Sequence, residues 1–181
     1  NPDLIVVSPD NPLADGMVDI LTQAGFKTFG PVKQAAQIES SKVFAKRLMK
    51  KYNIPTAAFE IFSDFESANE YIKNCEYPLV VKADGLAYGK GVIICNDINQ
   101  AQDALKQIMI EREFGDSGSR VIIEQYLCGR EVTMLCFSDG KTVLPMVSSQ
   151  DYKRAFDGDK GLNTGGMGAI SPAPAYTKEI E

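Results

Sequence analysis

The stretch "VVKADGLAYGKGVIIC", residues 80–95, places a charged loop between two apolar runs rich in β-branched residues. Such runs predict strands. A hairpin turn between strands needs only one glycine, but this stretch has three glycines and two lysines, Lys82 and Lys90. Glycines let backbone N–H groups approach a ligand and line an anion-binding concavity. The stretch therefore favours a polyphosphate site over the alternative, a glycine-rich hairpin with solvated lysines.

Two common nucleotide-binding motifs are absent from this stretch. Gly85 and the pair Gly89-Lys90 are separated by three residues instead of four, and Gly91 stands where a Walker A loop has Ser or Thr. The spacing G-x-G-x-x-G is not present either. The phosphate site is therefore predicted from its glycines and lysines and not from either motif.

Composition excludes several classes of protein. The 181 residues are 44% hydrophobic and 24% charged, which is typical of a globular chain with a core. A formal net charge of −5 disfavours binding to nucleic acid or to an anionic membrane. No apolar run reaches the roughly 20 residues of a membrane span and the first residues lack a basic secretory start, so we expect a cytosolic protein.

The chain contains no histidine. This excludes Ser-His-Asp and Cys-His nucleophilic systems and histidine-ligated zinc within these residues. Any catalysis has to use lysine, arginine, carboxylates and backbone amides. The four cysteines form no C-x-x-C pair, and their apolar neighbours predict reduced, buried thiols: Cys75, Cys95, Cys128 and Cys136.

The first 36 residues predict a strand, a helix and a second strand. An apolar run at 4–7 precedes a helical pattern that ends at Gly25, and "FKTFG" follows as a short strand. This is the parallel α/β arrangement, but one such unit cannot bury both faces of its sheet. We therefore expect this unit to be part of a larger domain.

The next helix and the segments after it predict a mixed α/β domain. Ser40 or Ser41 is an expected N-cap for a helix that places apolar residues on one face and Lys and Arg on the other, and Pro55 stops it. A strand, a helix opened by a capping box at Ser63 and Glu66, two strands around the glycine loop and a helix from Ile98 follow. Three further strand-like runs lie between 120 and 150, with a hairpin turn at "SDGK", 138–141.

Two later segments carry candidate ligand-binding residues. The strand "VIIEQYL" ends in residues whose backbone groups can meet a heterocycle, and Glu131 can accept hydrogen bonds from a ribose diol. Taken alone, Glu124 and Glu131 are more often surface carboxylates. Beyond Gln150, the glycine-rich "NTGGMG" at 163–168 follows Arg154, which can grip a carboxylate or phosphate. That segment predicts a second substrate site, with a solvated or disordered loop as the alternative.

With these motifs in order, the chain resembles the phosphoribosylamine–glycine ligase family, also called glycinamide ribonucleotide synthetase, of the ATP-grasp class. The resemblance covers essentially all 181 residues. Its most specific segments are "VVKADGLAYGKGV", "IIEQYLCGRE", "SQDYKRAFDGDKG" and "NTGGMGAISPAP". It implies an α/β fold in which 1–36 end a Rossmann-like domain and 37–181 begin an ATP-grasp domain, with a small α+β lid at about 56–125.

The resemblance also implies a reaction and its site residues. The family joins glycine to 5-phosphoribosylamine in purine biosynthesis, with ATP converted to ADP and phosphate through a glycyl phosphate. By motif, Lys82 and Arg154 would be catalytic. The residues implied to bind ATP are Lys42, Lys82, Gly85, Gly89, Lys90, Gly91, Glu124, Tyr126, Leu127 and Glu131. Those implied to bind the other substrates are Pro12, Leu13, Asp151, Lys153, Arg154, Asn163, Thr164, Gly165, Gly166, Met167 and Gly168.

The sequence departs from the family pattern in places. Ser-Ser-Lys ends at Lys42 where Gly-Ser-Lys is expected, Tyr88 replaces a small residue, Tyr152 replaces histidine and Leu162 replaces proline. The family's acidic and amide ligands for Mg²⁺ (or Mn²⁺) belong to its carboxy-terminal half, so no metal ligand is predicted here and the chain alone is expected to be inactive. The pattern predicts no oligomeric state.

Two alternatives remain open at this point. Another ATP-grasp ligase would keep the phosphate loop but bind a different acid or amine in the second glycine segment. A non-catalytic nucleotide-binding module would keep the phosphate loop and have no use for the second segment.

Overall fold

A computed structural model describes residues 2–87, 91–158 and 160–180, without the side chains of Leu162 and Asn163. The predictions for Tyr88, Gly89 and Lys90 lie outside the described residues. The chain divides into two compact units, residues 1–126 and 127–181, which are described separately. No helix within the described ranges is long and apolar enough to span a membrane.

The beginning of unit 1 is a parallel strand-helix-strand unit, as predicted. Strand β1 (Ile5–Val6) pairs in parallel with β2 (Thr28–Phe29). The predicted single helix between them is instead two helices, α1 (Asp10–Asp15) and α2 (Met17–Gln23). They meet at Gly16, whose φ of +90° ends α1 in the left-handed conformation. This break places the two helices on separate axes.

Two helices connect this unit to the main sheet. Helix α3 (Lys33–Ser40) was not predicted from the sequence, because its residues are mostly polar and only Ala36 is buried. Helix α4 (Lys42–Lys51) begins as predicted, since the Ser41 hydroxyl accepts a hydrogen bond from the Phe44 amide at 3.1 Å.

An antiparallel four-stranded sheet in the order β3-β6-β4-β5 forms the centre of unit 1. Its strands are β3 (Phe59–Phe62), β4 (Leu79–Ala83), β5 (Val92–Cys95) and β6 (Val121–Gln125). Strand β6 lies between β3 and β4, so Val80 faces Glu124 and Lys82 faces Ile122. The sheet therefore brings the start of the glycine loop, after Ala83, next to the start of β6 at Val121.

Helices pack on this sheet and close its core. Helix α5 (Phe65–Ile72) and helix α6 (Ile98–Leu105) bury Ile72 and Leu105 against it, and α6 continues as a π-helical turn, Lys106–Ile110. A 3₁₀ helix, Gly115–Ser119, precedes β6. The predicted capping box at Ser63 is wrong: Asp64 is the N-cap of α5, because its carboxylate accepts from the Ser67 amide at 2.8 Å.

Unit 2 consists of two β-hairpins. Strands β7 (Cys136–Ser138) and β8 (Val143–Pro145) flank the predicted turn, in which the Asp139 carboxylate accepts from the Lys141 and Thr142 amides. Strands β9 (Gln150–Phe156) and β10 (Lys160–Ile170) form the second hairpin. The glycine-rich segment beyond Gln150 is thus a bulged strand pair and not the disordered loop that was one alternative.

The four cysteines are free thiols, but the expectation that they are buried holds fully only for Cys95. Burial raises the pKa of the Cys95 thiol to about 11. Cys75 is half-buried, and Cys128 and Cys136 are exposed. The apolar neighbours of the last two in sequence belong to short exposed strands or loops of unit 2, so adjacency did not report burial.

Candidate functional site

Glu124 is the centre of a charged cluster in unit 1. It is the fourth residue of β6 and its side chain is only 5% exposed. Lys82, which lies on the neighbouring strand β4, donates to Glu124 Oε2 at 2.8 Å. Lys46, from α4, places its Nζ 3.2 Å from Oε1. One buried carboxylate is therefore shared by two ammonium groups from two different elements.

The second oxygen of Glu124 retains an open acceptor position. The Lys46–Oε1 ion pair lacks hydrogen-bond geometry, and Oε1 is buried without a hydrogen-bond donor among the described residues. A buried carboxylate oxygen without a donor is costly, so such an atom in a native site commonly meets a ligand or a water. An N–H donor of a bound molecule would fill this position.

Lys42 links the first turn of α4 to the base of the glycine loop. Its Nζ donates to the Gly85 carbonyl at 2.7 Å. Burial lowers the pKa of the Lys42 amine below its ordinary value, and the positive charge of Lys82 lowers it further. Three carboxylates act in the opposite direction: Glu39, Asp84 and Glu124. Lys42, Lys82 and Glu124 thus belong to one electrostatic site.

Asp84 fixes the loop base to α4. Its Oδ1 accepts from the Ser41 hydroxyl and from the Val43 amide, each at 3.0 Å, and its Oδ2 accepts from Arg120 at 2.5 Å. Asp84 is only 7% exposed, so its charge depends on these donors. The residue after β4 is therefore held from both sides, which positions the first residues of the loop.

Gly85 is required where the loop leaves Asp84. Its φ is +115°, a conformation that side chains rarely adopt. A Cβ at this position would lie 2.5 Å from the Ser117 hydroxyl oxygen. Gly91 at the other end is also tight, because a Cβ there would lie 2.7 Å from the Ala87 Cβ. Close packing therefore explains part of the loop's glycine content, alongside the predicted approach to phosphate.

The remaining predicted residues of unit 1 lie in different surroundings. Pro12 and Leu13 are on α1, and Leu13 lines a small cavity with Pro31, Ala36 and Leu86. Tyr126 directly follows β6 and is half-buried. The cluster around Glu124 does not include Pro12, Leu13 or Tyr126 among the contacts of the described residues.

In unit 2, the β9–β10 hairpin gathers several predicted substrate residues. Lys153 Nζ lies 3.3 Å from Asp151 Oδ2 and 4.0 Å from Glu131 Oε2. Arg154 donates to the Gly161 carbonyl at 2.6 Å. Leu127, at the start of the unit, is 62% exposed and has no part in this hairpin's pairing. The hairpin thus brings Asp151, Lys153 and Glu131 together at an exposed surface.

The "NTGGMG" segment forms a bulge in this hairpin. Asn163 pairs with Arg154 and Gly168 pairs with Tyr152, so the residues 164–167 stand out opposite a single residue of β9. The Thr164 hydroxyl donates to the Lys153 carbonyl and accepts from the Gly166 amide, while Met167 is 63% exposed. The bulge breaks the strand ladder at these glycines and leaves Gly165, Gly166 and Gly168 exposed, where backbone groups can meet a ligand.

Sequence reasoning missed three residues of the site: Lys46, Asp84 and Arg120. Lys46 was placed on the polar face of its helix, but it is only 9% exposed. Its Nζ donates to the Thr56 hydroxyl at 2.6 Å and lies 5.4 Å from the centre of the Phe59 ring. The partners of Asp84 are about 40 residues away in sequence, and no local pattern indicated them.

Comparisons with known proteins agree with these features. Residues 1–39 match the N domain of phosphoribosylglycinamide synthetase, and residues 40–181 match the ATP-grasp (A) domain of the same family. The chain is 52% identical over 180 residues to the phosphoribosylamine–glycine ligase of Clostridium acetobutylicum, covering 99% of this chain and 43% of that protein. The ligase of Neisseria meningitidis serogroup B is also 52% identical over 175 residues, with 97% and 41% covered.

Solved structures give the same result for the fold. The phosphoribosylamine–glycine ligase of Thermotoga maritima superposes with a TM-score of 0.80 at 38% identity, covering 96% of this chain and 42% of that one. A biotin carboxylase of Campylobacter jejuni reaches 0.70 at 19% identity over 84% of this chain and 35% of that one, which bears on the fold alone. The predicted α/β ATP-grasp fold is confirmed, and the chain spans about two fifths of the length of these ligases.

Proposed function

The chain belongs to the phosphoribosylglycinamide synthetase family, and from that premise we propose that the full-length protein ligates glycine to 5-phosphoribosylamine with ATP, in the cytoplasm, as a step of purine biosynthesis. The products are glycinamide ribonucleotide, ADP and phosphate. An ATP-grasp domain implies ATP binding. We also propose that residues 1–36 end a Rossmann-like domain and that the lid occupies about 56–125.

The observation that carries this proposal is the cluster of Lys42, Lys82 and Glu124 beside a glycine loop. Two lysines beside a loop with an anchored base supply charge for a polyphosphate, although the chain as a whole is acidic. Glu124, at the end of the buried run of β6, would line the adenine pocket. Tyr126 and Leu127 continue from Glu124 and would border the base, and Glu131 would hold the ribose.

The loop 85–91 would cover the phosphates. Gly85 and Gly91 delimit it, and the Lys42 bond to the Gly85 carbonyl shows how near the lysine lies to the loop backbone. Lys42 and Lys82 would neutralise charge as the γ-phosphoryl group moves to the carboxylate of glycine. That transfer forms glycyl phosphate and ADP. The amine of phosphoribosylamine then attacks the glycyl carbonyl and phosphate leaves.

The β9–β10 hairpin would hold the two other substrates. Arg154 would orient the glycine carboxylate, because a guanidinium matches a carboxylate with two parallel hydrogen bonds. The bulge from Asn163 to Gly168 would offer backbone amides, and Asp151 and Lys153 would contact polar groups. Pro12 and Leu13 would contact the ribosyl phosphate.

A divalent cation such as Mg²⁺ normally accompanies ATP in phosphoryl transfer. The described residues do not fit one, because no group of three or more Cys, Asp or Glu side chains among them could hold a metal ion. We therefore expect residues 1–181 by themselves not to turn over, and glycine-dependent ADP release from this chain alone would contradict that expectation.

The test is ADP release by the full-length protein with ATP, Mg²⁺, phosphoribosylamine and one amino acid at a time. We expect release only when glycine and phosphoribosylamine are both present. Lys82→Ala should lower the rate about a hundredfold or more, the scale for loss of a group that stabilises developing charge. Lys73→Ala is the control, because Lys73 is an exposed lysine at the end of α5 that pairs only with Glu70 in its described contacts.

Other outcomes of this assay would favour one of the alternative functions. Release that requires a different amino acid would keep the ATP-grasp chemistry and refute glycine as the substrate. ATP binding without release under any of these conditions would favour a nucleotide-binding module without catalysis. Arg154→Ala should raise the KM for glycine more than the KM for ATP, and the reverse pattern would refute its assigned place.

A further inference from the structure

Lys46 is a buried lysine that the proposed substrate contacts do not use. Its ammonium group is held on three sides: the Thr56 hydroxyl at 2.6 Å, the Glu124 Oε1 atom at 3.2 Å and the Phe59 ring at 5.4 Å. Its side chain is 11% exposed. Lysine is almost never this buried unless it is paired, so its position has to be explained by Glu124.

Lys82 shares the same carboxylate but is less confined. Its Nζ lies 2.8 Å from Glu124 Oε2, and its side chain is 25% exposed. Lys82 is also two residues before Asp84, where the glycine loop begins. Lys82 is the more accessible of the two lysines. It can therefore turn from Glu124 toward an incoming anion, whereas Lys46 is enclosed.

A difficulty follows if Lys82 binds phosphate. When it leaves Oε2, Glu124 loses one of its two counter-charges while remaining buried. A buried carboxylate without a partner is strongly unfavourable, because its lost hydration is not replaced. A lone Lys82–Glu124 pair would therefore oppose the binding of a nucleotide.

We propose that Lys46 is a positioning residue that keeps Glu124 paired while Lys82 is transferred to the phosphates of ATP. This inference rests on the proposed ATP site and extends it to a residue that touches neither ATP nor the other substrates. Lys46 stays paired with Glu124 when ATP binds, whereas Lys82 exchanges Glu124 for the phosphates.

The proposal predicts a specific compensation. In Lys46→Met, the packing on Phe59 is largely kept, but Lys82 is the only lysine still in direct ion-pair contact with Glu124 among the described residues, so ATP binding is weakened. If Glu124→Gln is added, the neutral amide needs no counter-ion and Lys82 is released. The double variant should then bind ATP as Glu124→Gln alone does.

The experiment is calorimetric titration of the full-length protein with ATP, without glycine or phosphoribosylamine. Lys46→Met should raise the Kd about tenfold or more, because it removes one of the two counter-charges of a buried carboxylate. Lys46→Arg, which keeps the charge, should restore part of that loss. Lys50→Met is the matched control: Lys50 is on the same helix and lies 5.9 Å from the same Phe59 ring, but it is exposed and does not reach Glu124 in its described contacts. Its Kd should equal that of the unmodified protein.

The decisive comparison is between Glu124→Gln and Lys46→Met with Glu124→Gln, whose Kd values should agree within about twofold. An unchanged Kd in Lys46→Met, or a double variant weakened by the product of the two single effects, would overturn the proposal. If Lys46→Met does not fold by circular dichroism, a Kd more than tenfold higher in the double variant than in Glu124→Gln overturns it. If the unmodified protein does not bind ATP, the proposed function itself fails; if it binds ATP but does not use glycine, only the substrate assignment fails.

Discussion

Asp84→Asn should destabilise unit 1 although it changes one oxygen to a nitrogen. The asparagine can still accept from the Ser41 hydroxyl and the Val43 amide, which lie 3.0 Å from Oδ1. Its amide nitrogen then faces Arg120, so two donors meet where an ion pair had been. The substitution thus removes one buried negative charge and one acceptor.

The magnitude follows from these contacts. Hydrogen bonds to charged groups contribute about 1.5–3 kcal/mol each, roughly twice the neutral value. Arg120 is 41% exposed, so water screens its pair with Asp84 and that contribution is discounted. Weakening two bonds and losing the screened pair gives a loss of about 2 kcal/mol in the free energy of unfolding.

The assay is urea unfolding of the 181-residue chain, followed by circular dichroism at 222 nm. A loss of about 2 kcal/mol lowers the urea midpoint by about 1 M for a typical slope of this size of protein. Asp116→Asn is the control, since Asp116 is exposed on the 3₁₀ helix, and it should change stability by less than about 0.5 kcal/mol. Ser41→Ala should cost about 1 kcal/mol, and less when Asp84→Asn is already present. A loss below about 0.5 kcal/mol for Asp84→Asn, or additive losses in the double variant, would refute this account of the loop base.

Three further outcomes can be checked on the same protein. At pH 8, Ellman's reagent should modify Cys128 and Cys136 first and Cys95 last, because Cys95 is buried and has a pKa of about 11; early modification of Cys95 would contradict its burial. Gly118→Ala should cost about 3 kcal/mol, since a Cβ would lie against the Ile108 carbonyl oxygen; a midpoint unchanged in urea would contradict this contact. Burial lowers the pKa of Lys42 below 10.5, so its penalty to folding is present at neutral pH and is relieved as the pH rises toward 10.5. ATP binding should therefore take up a proton as the pH approaches 10.5. The uptake can be measured by calorimetry in buffers of different ionisation enthalpy, and Lys42→Arg should abolish it.

The elements of the fold that depend on local sequence could be predicted. The runs around the glycine loop form β4 and β5, Ser41 caps α4, and "SDGK" forms a hairpin turn. The predictions failed where a neighbour in space decides the outcome. A single helical pattern is divided at Gly16 because that residue adopts a positive φ, and α3 forms from a polar segment that packs on α1 and α4.

The site residues divide in the same way, between those that local sequence indicates and those that depend on neighbours in space. Lys42, Lys82 and Glu124 could be proposed from motifs, because each lies at a helix start, a strand end or the end of a buried run. Lys46 could not, since "KVFAKRLMKK" places it among four other lysines and arginines that read as a solvated face. Its burial depends on Thr56, Phe59 and Glu124, which come from the loop before β3, from β3 and from β6.

The arrangement of charges in unit 1 would allow an acidic chain to hold the proposed polyphosphate. Asp84 is satisfied by Arg120, Ser41 and the α4 backbone, so its charge is largely compensated before any ligand arrives. Glu124 is shared by Lys46 and Lys82, so one ammonium group can be withdrawn without leaving the carboxylate alone. Lys42 is held only by a neutral carbonyl in its described hydrogen bonds. The positive charges of Lys42 and Lys82 are therefore exchangeable, whereas Asp84 keeps its donors and Glu124 keeps its ion pair with Lys46.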